Sequence, residues 1–266
     1  MPVQHVPGVA DETLRPLLTG PVRPAAVIGI VTDAVHLHVD GTLVVVCGPR
    51  AVRLPGSIAL AAPLAGLVPL DAKTAAAVGD GRVQVGNVAI DVRRWTAAPR
   101  PRFRDLTGAA MRAGEVAAHL PSLPTLLEPP VSKLLTALRA GDPDTMTAAV
   151  DGLIGLGPGL TPLGDDLLAG TALALSAAAD GRRHLLTAAI AERRDRTTAV
   201  SAALLDAATT GRSIPQAAQL VAALDGRADL NTALAALIAV GSSSGIGIAH
   251  GIALALTLPL SHEEAA

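Results

Sequence analysis

Hydrophobic and polar positions follow one period in the first part of the chain and another in the second, with the change near Arg104. From Val22 to about Val92 the pattern has the two-residue period of strands. Ala25–Val31, Ala34–Val39 and Leu43–Cys47 are short β-rich runs. Turns are expected at Thr32-Asp33 and at Asp40-Gly41, the second a strong hairpin pair. Val52–Leu54 and Ile58–Leu60 flank Pro55-Gly56, and Arg82–Val85 and Val88–Val92 flank Gly86-Asn87, another tight hairpin. Ala72–Val78 reads as a helical turn or two. Residues 1–21, broken by Pro and Gly, read as an arm with a short helix near Asp11–Leu18. Arg93 through Pro101 reads as a Pro/Arg-rich linker. So many short strands with hairpin turns predict an antiparallel sheet or small barrel.

After Arg104 the period is helical. Helices are expected near 105–119, 131–140, 143–154, 162–179, 183–192, 196–210, 214–224, 228–239 and 245–257. Asp142-Pro143 is a cap followed by Pro at a helix start, and Gly141, Gly181, Gly211 and Gly226 are expected C-terminal stops. The segments 162–179 and 245–257 are apolar almost all round, which predicts two central, buried helices surrounded by amphipathic ones. The expected fold class is α+β: an antiparallel β-rich N-terminal domain, residues 1–103, then a mainly α-helical domain, residues 104–266, that carries a glycine-rich motif.

Composition narrows the function classes. Half of the 266 residues are hydrophobic, yet Trp95 and Phe103 are the only aromatics, so Ala, Leu, Val and Ile must build the core. A chain without aromatic stacking platforms and with a net charge of −2 is not expected to bind nucleic acid. Cys47 is the only cysteine, which excludes an intrachain disulfide and a cysteine metal cluster; in its apolar run it reads as a buried structural thiol. No signal-peptide pattern opens the sequence. The most apolar run, Ile246 to Leu260, is interrupted by His250 and falls short of the ~20 residues a bilayer requires. A cytoplasmic protein with no membrane partner is expected.

The candidate chemistry lies in Gly155-Leu156-Gly157-Pro158-Gly159-Leu160-Thr161-Pro162-Leu163-Gly164-Asp165-Asp166, a glycine-rich turn running into a helix. Thr161 is a natural N-cap, with Pro162 at the first helical position. The free N–H groups and positive dipole end make an anion site. No Lys follows the glycines and no strand precedes them, so this is neither a Walker motif nor a dinucleotide fingerprint. Two first-turn carboxylates would repel a phosphate. Either a divalent cation or an Arg bridges them to an anion, or they accept from an amide or amine. The plain alternative is that both acids only stabilise the helix, at ~0.3–1 kcal/mol each. Consecutive residues differ by roughly 100° around a helix, so one carboxylate is expected to face the site and the other to hold neighbouring N–H groups.

Two further stretches could join it. In Arg193-Arg194-Asp195-Arg196-Thr197-Thr198-Ala199-Val200-Ser201, Thr197 and Ser201 are expected to share a helix face below an Arg cluster suited to a carboxylate or phosphate; an N-cap on a solvated helix is the plain alternative. Gly241-Ser242-Ser243-Ser244-Gly245 is a hydroxyl-rich cap before the second buried helix. The two buried helices align without gaps, Gly164 on Gly245 and Gly170 on Gly251, with an identical Ala-Leu-Ala-Leu tail. The alignment predicts two equivalent helix starts converging on one site. His250 reads as a satisfied core histidine, and His36 and His38 lack the acids a metal site needs. No nucleophile–base constellation is evident.

The motif around Gly155–Asp166 resembles the signature of a family of largely uncharacterised bacterial proteins that includes the AllH-type subunit of oxamate carbamoyltransferase, from anaerobic allantoin breakdown. Arg196–Ser201 and Gly241–Gly251 resemble its two later motifs, in the same order, and the resemblance spans about residues 90–258. It implies a transfer linking oxamate and carbamoyl phosphate, and partner subunits of unlike sequence. In that picture the Gly157 and Gly159 amides and Thr161 hold an anionic group of a small-molecule substrate. Asp165 and Asp166 are the candidate catalytic residues, accepting from a carbamoyl or amide N–H or holding a cation such as Mg²⁺. Thr197, Thr198, Ser201 and Ser243 complete the pocket. The family commonly has His where Ser242 stands and Asp where Gly247 stands; if those groups handle substrate, activity is lost or altered here. A non-catalytic ligand-binding or scaffolding subunit is the competing class.

Overall fold

The strand-period half of the chain closes on itself. Eight strands, β1 (Gln4–Asp11), β2 (Arg23–Val31), β3 (Ala34–Val39), β4 (Thr42–Cys47), β5 (Ser57–Leu60), β6 (Ala76–Gly79), β7 (Arg82–Val85) and β8 (Val88–Thr96), form a closed barrel in the order β1-β5-β4-β3-β2-β6-β7-β8. The structure, a computed structural model, describes residues 2–64 and 74–259 and divides into two units, 1–98 and 99–266.

Hairpins set most of the pairing. Val39 lies opposite Thr42 across Asp40-Gly41, and Gly79 opposite Arg82 across Asp80-Gly81, with positive φ at both turn residues of each pair. Val35, Leu37, Val44, Val46, Ile58, Val83, Val85, Val88 and Ile90 fill the interior, joined by Leu14 and Leu18 from the short helical segment after β1. Closure departs from the expected antiparallel sheet at two places, because β4 pairs with β5 and β1 with β8 in parallel.

Other segments also differ from the pattern. The expected N-terminal arm contains β1, eight residues long despite Pro7 and Gly8, ahead of the short helix α1 (Arg15–Leu18). The linker expected from Arg93 is still strand through Thr96, with Arg94, Trp95 and Thr96 paired to Val9, Ala10 and Asp11. Arg15 also stacks on the Trp95 ring at 4.2 Å. Val52–Leu54 is not a strand. Of the helical turn expected at 72–78, positions 72 and 73 lie outside the described residues and Ala76–Val78 is strand β6, extended by pairing with β2 and β7.

The second unit is helical: α2 (Leu106–His119), α3 (Glu128–Ala140), α4 (Pro143–Leu153), α5 (Leu163–Ala177), α6 (Arg182–Ala191), α7 (Ala199–Thr209), α8 (Pro215–Leu224), α9 (Leu230–Ile238) and α10 (Ser244–Leu256). Every residue of α5 is buried, Asp165 and Asp166 among them. α10 lies beside it in parallel, with Gly247 on Asp166 and Gly251 on Leu167 and Thr171. Gly141, Gly211 and Gly226 end helices with positive φ, but Gly181 does not; Ala179 takes the left-handed conformation after α5 instead. Its amide donates to Ser176 O, and the Asp180 amide donates to Leu175 O at 3.0 Å, satisfying the last carbonyls of the helix. Among the described residues no helix is long and apolar enough to cross a membrane.

Candidate functional site

The starts of α5 and α10 meet. Thr161, just before α5, and Ser244, the first residue of α10, share a hydrogen bond of 2.7 Å between their hydroxyls. Thr161 is therefore not the helix cap the sequence suggests. The helix begins one residue later, with Pro162 in the cap position, and the Pro162 carbonyl accepts from the Asp165 and Asp166 amides. That shift frees the Thr161 side chain to reach across to α10.

The helix pair has internal two-fold character. A Cβ on Gly170 would stand 2.1 Å from Ile248 O, and one on Gly251 would stand 2.1 Å from Leu167 O. In the gap-free alignment Leu167 and Ile248 are equivalent, so the contact is reciprocal. The next equivalent pair toward the helix starts is Asp166 and Gly247, and these also face each other: a Cβ on Gly247 would lie 2.7 Å from Asp166 Cβ and 2.8 Å from Leu163 Cδ1. An acid at Gly247 would need the two helices to separate.

The two adjacent acids occupy different environments, although only 2% and 3% of Asp165 and Asp166 is exposed. Asp165 uses both oxygens. Oδ1 accepts from the Gly155 amide at 2.8 Å and Oδ2 from the Thr197 hydroxyl. Burial pushes its carboxyl above the usual range, with the Thr197 hydroxyl and Gly155 amide acting against the rise. Gly155 has φ +72°, and a Cβ there would lie 2.6 Å from Arg196 O, so the loop needs glycine at this point. Asp166 has no such anchors. Its Oδ2 is buried without a hydrogen-bond partner. Burial raises its pKa to about 8, the Ser244 hydroxyl opposes the rise and the Asp165 charge adds to it. At neutral pH Asp166 is mostly protonated, which gives it an O–H donor beside a carbonyl acceptor.

Above the acids the loop 157–160 is exposed. Among the described residues the amides of Gly157, Gly159 and Thr161 donate to no protein group. Thr198 fixes the loop from the far side: its hydroxyl donates to Leu160 O and, as the cap of α7, accepts from the Ser201 amide at 3.0 Å. Thr197 precedes α7 in an extended conformation, so Thr197 and Ser201 do not share a helix face. Both nonetheless approach Asp165, Thr197 by a hydrogen bond and Ser201 as a buried hydroxyl beside the carboxylate with no partner of its own. Ser243 caps α10 with its carbonyl, and its hydroxyl is unused.

The arginine cluster is committed elsewhere. Arg193 pairs with Asp151 at 2.7 Å, Arg196 with the same carboxylate, and Arg194 with Asp206 at 2.8 Å. His250 Nε2 donates to Pro121 O at 2.8 Å. Ser244 is the residue that sequence reasoning left out of the site; its hydroxyl-rich run was the available signal.

Residues 153–256 match the family model of the oxamate carbamoyltransferase subunit AllH. The matched segment runs from the end of α4 through α10 and so contains the glycine-rich loop, both acids, the Thr197-Thr198 turn and the Ser242–Ser244 cap. The barrel lies outside it. No curated protein and no solved structure matches the chain.

Proposed function

We propose that the helical unit is the ligand-binding part of a subunit in an oxamate-carbamoyltransferase-like complex, holding a small amide or carboxylate, or carbamoyl phosphate, where α5 and α10 begin. The observation that carries this is Asp166 Oδ2, a buried oxygen with no partner under an exposed loop whose amides are free. A neutral carboxyl donates with one oxygen and accepts with the other, which complements the edge of a carboxamide or carbamoyl group. The Gly157, Gly159 and Thr161 amides, with Ser243, supply donors for an anionic end.

Protonation of Asp166 also weakens the objection that two acids repel an anion. One is neutral, and the charge of the other is directed into Thr197 and Gly155. The donor set does not fit a divalent cation. Asp165 already accepts with both oxygens, and no group of three His, Cys, Asp or Glu among the described residues could hold a metal. Asp165, Thr197, Thr198 and Ser201 act by positioning the loop, and such transfers can proceed by positioning and electrostatics without a protein nucleophile.

The scaffolding reading draws on Gly247, which leaves the half-site opposite Asp166 without a polar group. Titration calorimetry with oxamate and with carbamoyl phosphate, on the chain alone and with co-purified neighbouring subunits, separates the two. Asp166→Asn keeps a donor and an acceptor and is expected to bind within a few-fold of wild type. Asp166→Leu is expected to weaken binding by about tenfold or more. Absence of binding by wild type in both settings would overturn the ligand-site reading and leave the scaffold.

A further inference from the structure

The helical unit carries a second group of arginines, away from the Asp151 pairs, that the α5–α10 site does not use. Residues 99–104 lead into α2 without helix or strand, and exposure alternates along them. Arg100, Arg102 and Arg104 are exposed, Pro99 and Pro101 are half-buried and Phe103 is buried. The segment is pinned along its length. The Ser213 amide donates to Pro99 O at 3.0 Å, the Phe103 amide to Ala177 O at 3.1 Å and the Arg104 amide to Asp225 Oδ1 at 2.7 Å. Two more arginines meet it at the turn after α8. Arg227 donates to Arg102 O at 2.9 Å, and Arg112 of α2 donates to Leu224 O at 2.8 Å.

Most of this charge is not neutralised within the chain. Arg227 pairs with Asp225 at 2.6 Å. Arg100, Arg102, Arg104 and Arg112 have no ion pair among the described residues. Arg102 and Arg112 are bonded to the Ser176 and Leu224 carbonyls, which fix the side chains and leave their charge in place. The acids nearby are already occupied. Asp225 also accepts from the Arg104 and Asp105 amides, Asp105 from the Gly108 amide and Asp229 from the Thr232 amide.

Fixed guanidinium groups without an acid are set up to take carboxylates from outside, by paired N–H bonds. Arg100, Arg102 and Arg104 recur at every second residue, ~6–7 Å apart at the rise of an extended chain. An extended acidic strand repeats the side chains of one face at the same interval. We propose that this arginine face docks an acidic segment of another polypeptide, with carboxylates at about every second residue. A nucleic acid suits it less. The chain as a whole carries −2, so the surface beyond the arginines is net negative and repels a polyanion longer than the face. The one aromatic residue of this unit, Phe103, is buried at 4% exposure and offers no base a stacking surface. The inference does not depend on what the α5–α10 site binds.

The test is fluorescence anisotropy of the full chain with a labelled peptide of alternating Glu and Ala. Its Gln–Ala counterpart, a single-stranded DNA of equal length and phosphatidylserine vesicles are the comparisons. Wild type is expected to bind the Glu peptide at least about tenfold more tightly than the Gln peptide, and to lose most of that margin between about 50 and about 200 mM salt. The double variant Arg100→Gln/Arg104→Gln is expected to bind the Glu peptide about tenfold or more weakly. Its unfolding temperature should match wild type, because neither side chain bonds to another described residue. Lys133→Gln/Arg139→Gln removes the same charge from exposed positions of α3 and should bind like wild type. The proposal is overturned if the Glu and Gln peptides bind alike, or if the α3 variant weakens binding as much as the arginine variant. Tighter binding of the DNA or the vesicles than of the Glu peptide overturns it in favour of a nucleic acid or a lipid surface. An arginine variant that melts well below wild type overturns it in favour of a role in the fold.

Discussion

Gly170 and Gly251 each stand where any side chain would strike the backbone of the opposite helix, at Ile248 O and Leu167 O respectively, both at 2.1 Å. The reciprocity makes the α5–α10 seam the rigid element on which Thr161, Asp166 and Ser244 are mounted. Gly251→Ala is expected to lower stability by about 3 kcal/mol or more, because the atoms it meets are backbone and cannot rotate away. Gly114→Ala on α2, where a Cβ meets nothing within 4 Å, is expected to raise stability by up to ~1 kcal/mol. Urea unfolding of both variants measures the contrast.

Asp166 should impose a particular pH dependence. Its pKa of about 8 in the fold lies above the ordinary value of 3.8, so between those values the folded state binds a proton that the unfolded state has lost. Stability from this group is therefore greatest below pH 4, falls as pH rises toward 8, and levels off above. The slope is at most about 1.4 kcal/mol per pH unit. Asp166→Asn removes it, so the variant should gain on wild type steadily from pH 5 to pH 8. Parallel curves for the two proteins would show that Asp166 ionises normally.

Asp165 should behave as an anchor. Asp165→Asn can keep only one of the two acceptances, from Gly155 and from Thr197, and is expected to cost about 1–3 kcal/mol. Hydrogen exchange at the Gly155 amide should accelerate. If ligand binding weakens while exchange at Gly155 is unchanged, Asp165 contacts the ligand directly.

Ala179 follows α5 with φ +52°. A non-glycine residue in this region carries a steric cost of roughly 1–2 kcal/mol. Ala179→Gly is expected to stabilise the protein by about 0.5–1 kcal/mol after the added freedom of the unfolded chain is counted. A shift in the midpoint of thermal unfolding measures it.

The helical unit was legible because its helices carry local signals: a periodic apolar face, Asp142-Pro143 at a start, Gly141 at a stop. The barrel was legible where hairpins join neighbours in sequence, as at Asp40-Gly41, and illegible where closure joins distant strands. Nothing local distinguishes β1, with Pro7 and Gly8, from an arm until β8 pairs with it. The site followed the same division. The glycine run and the paired acids announce a special helix start. The Thr161–Ser244 bond and the Thr198–Leu160 bond join residues far apart in sequence, so the pairing shows only in the fold. The expected Thr161 cap failed for the same reason, since its hydroxyl had a distant partner.

The parallel pairing of β1 with β8 also sets an order of events during synthesis. The first strand can pair with β5 once Leu60 has emerged, but its other edge stays open until β8 is complete at Thr96. A chain stopped before β8 is an open sheet with an unpaired edge at each end, a state prone to joining other copies of itself.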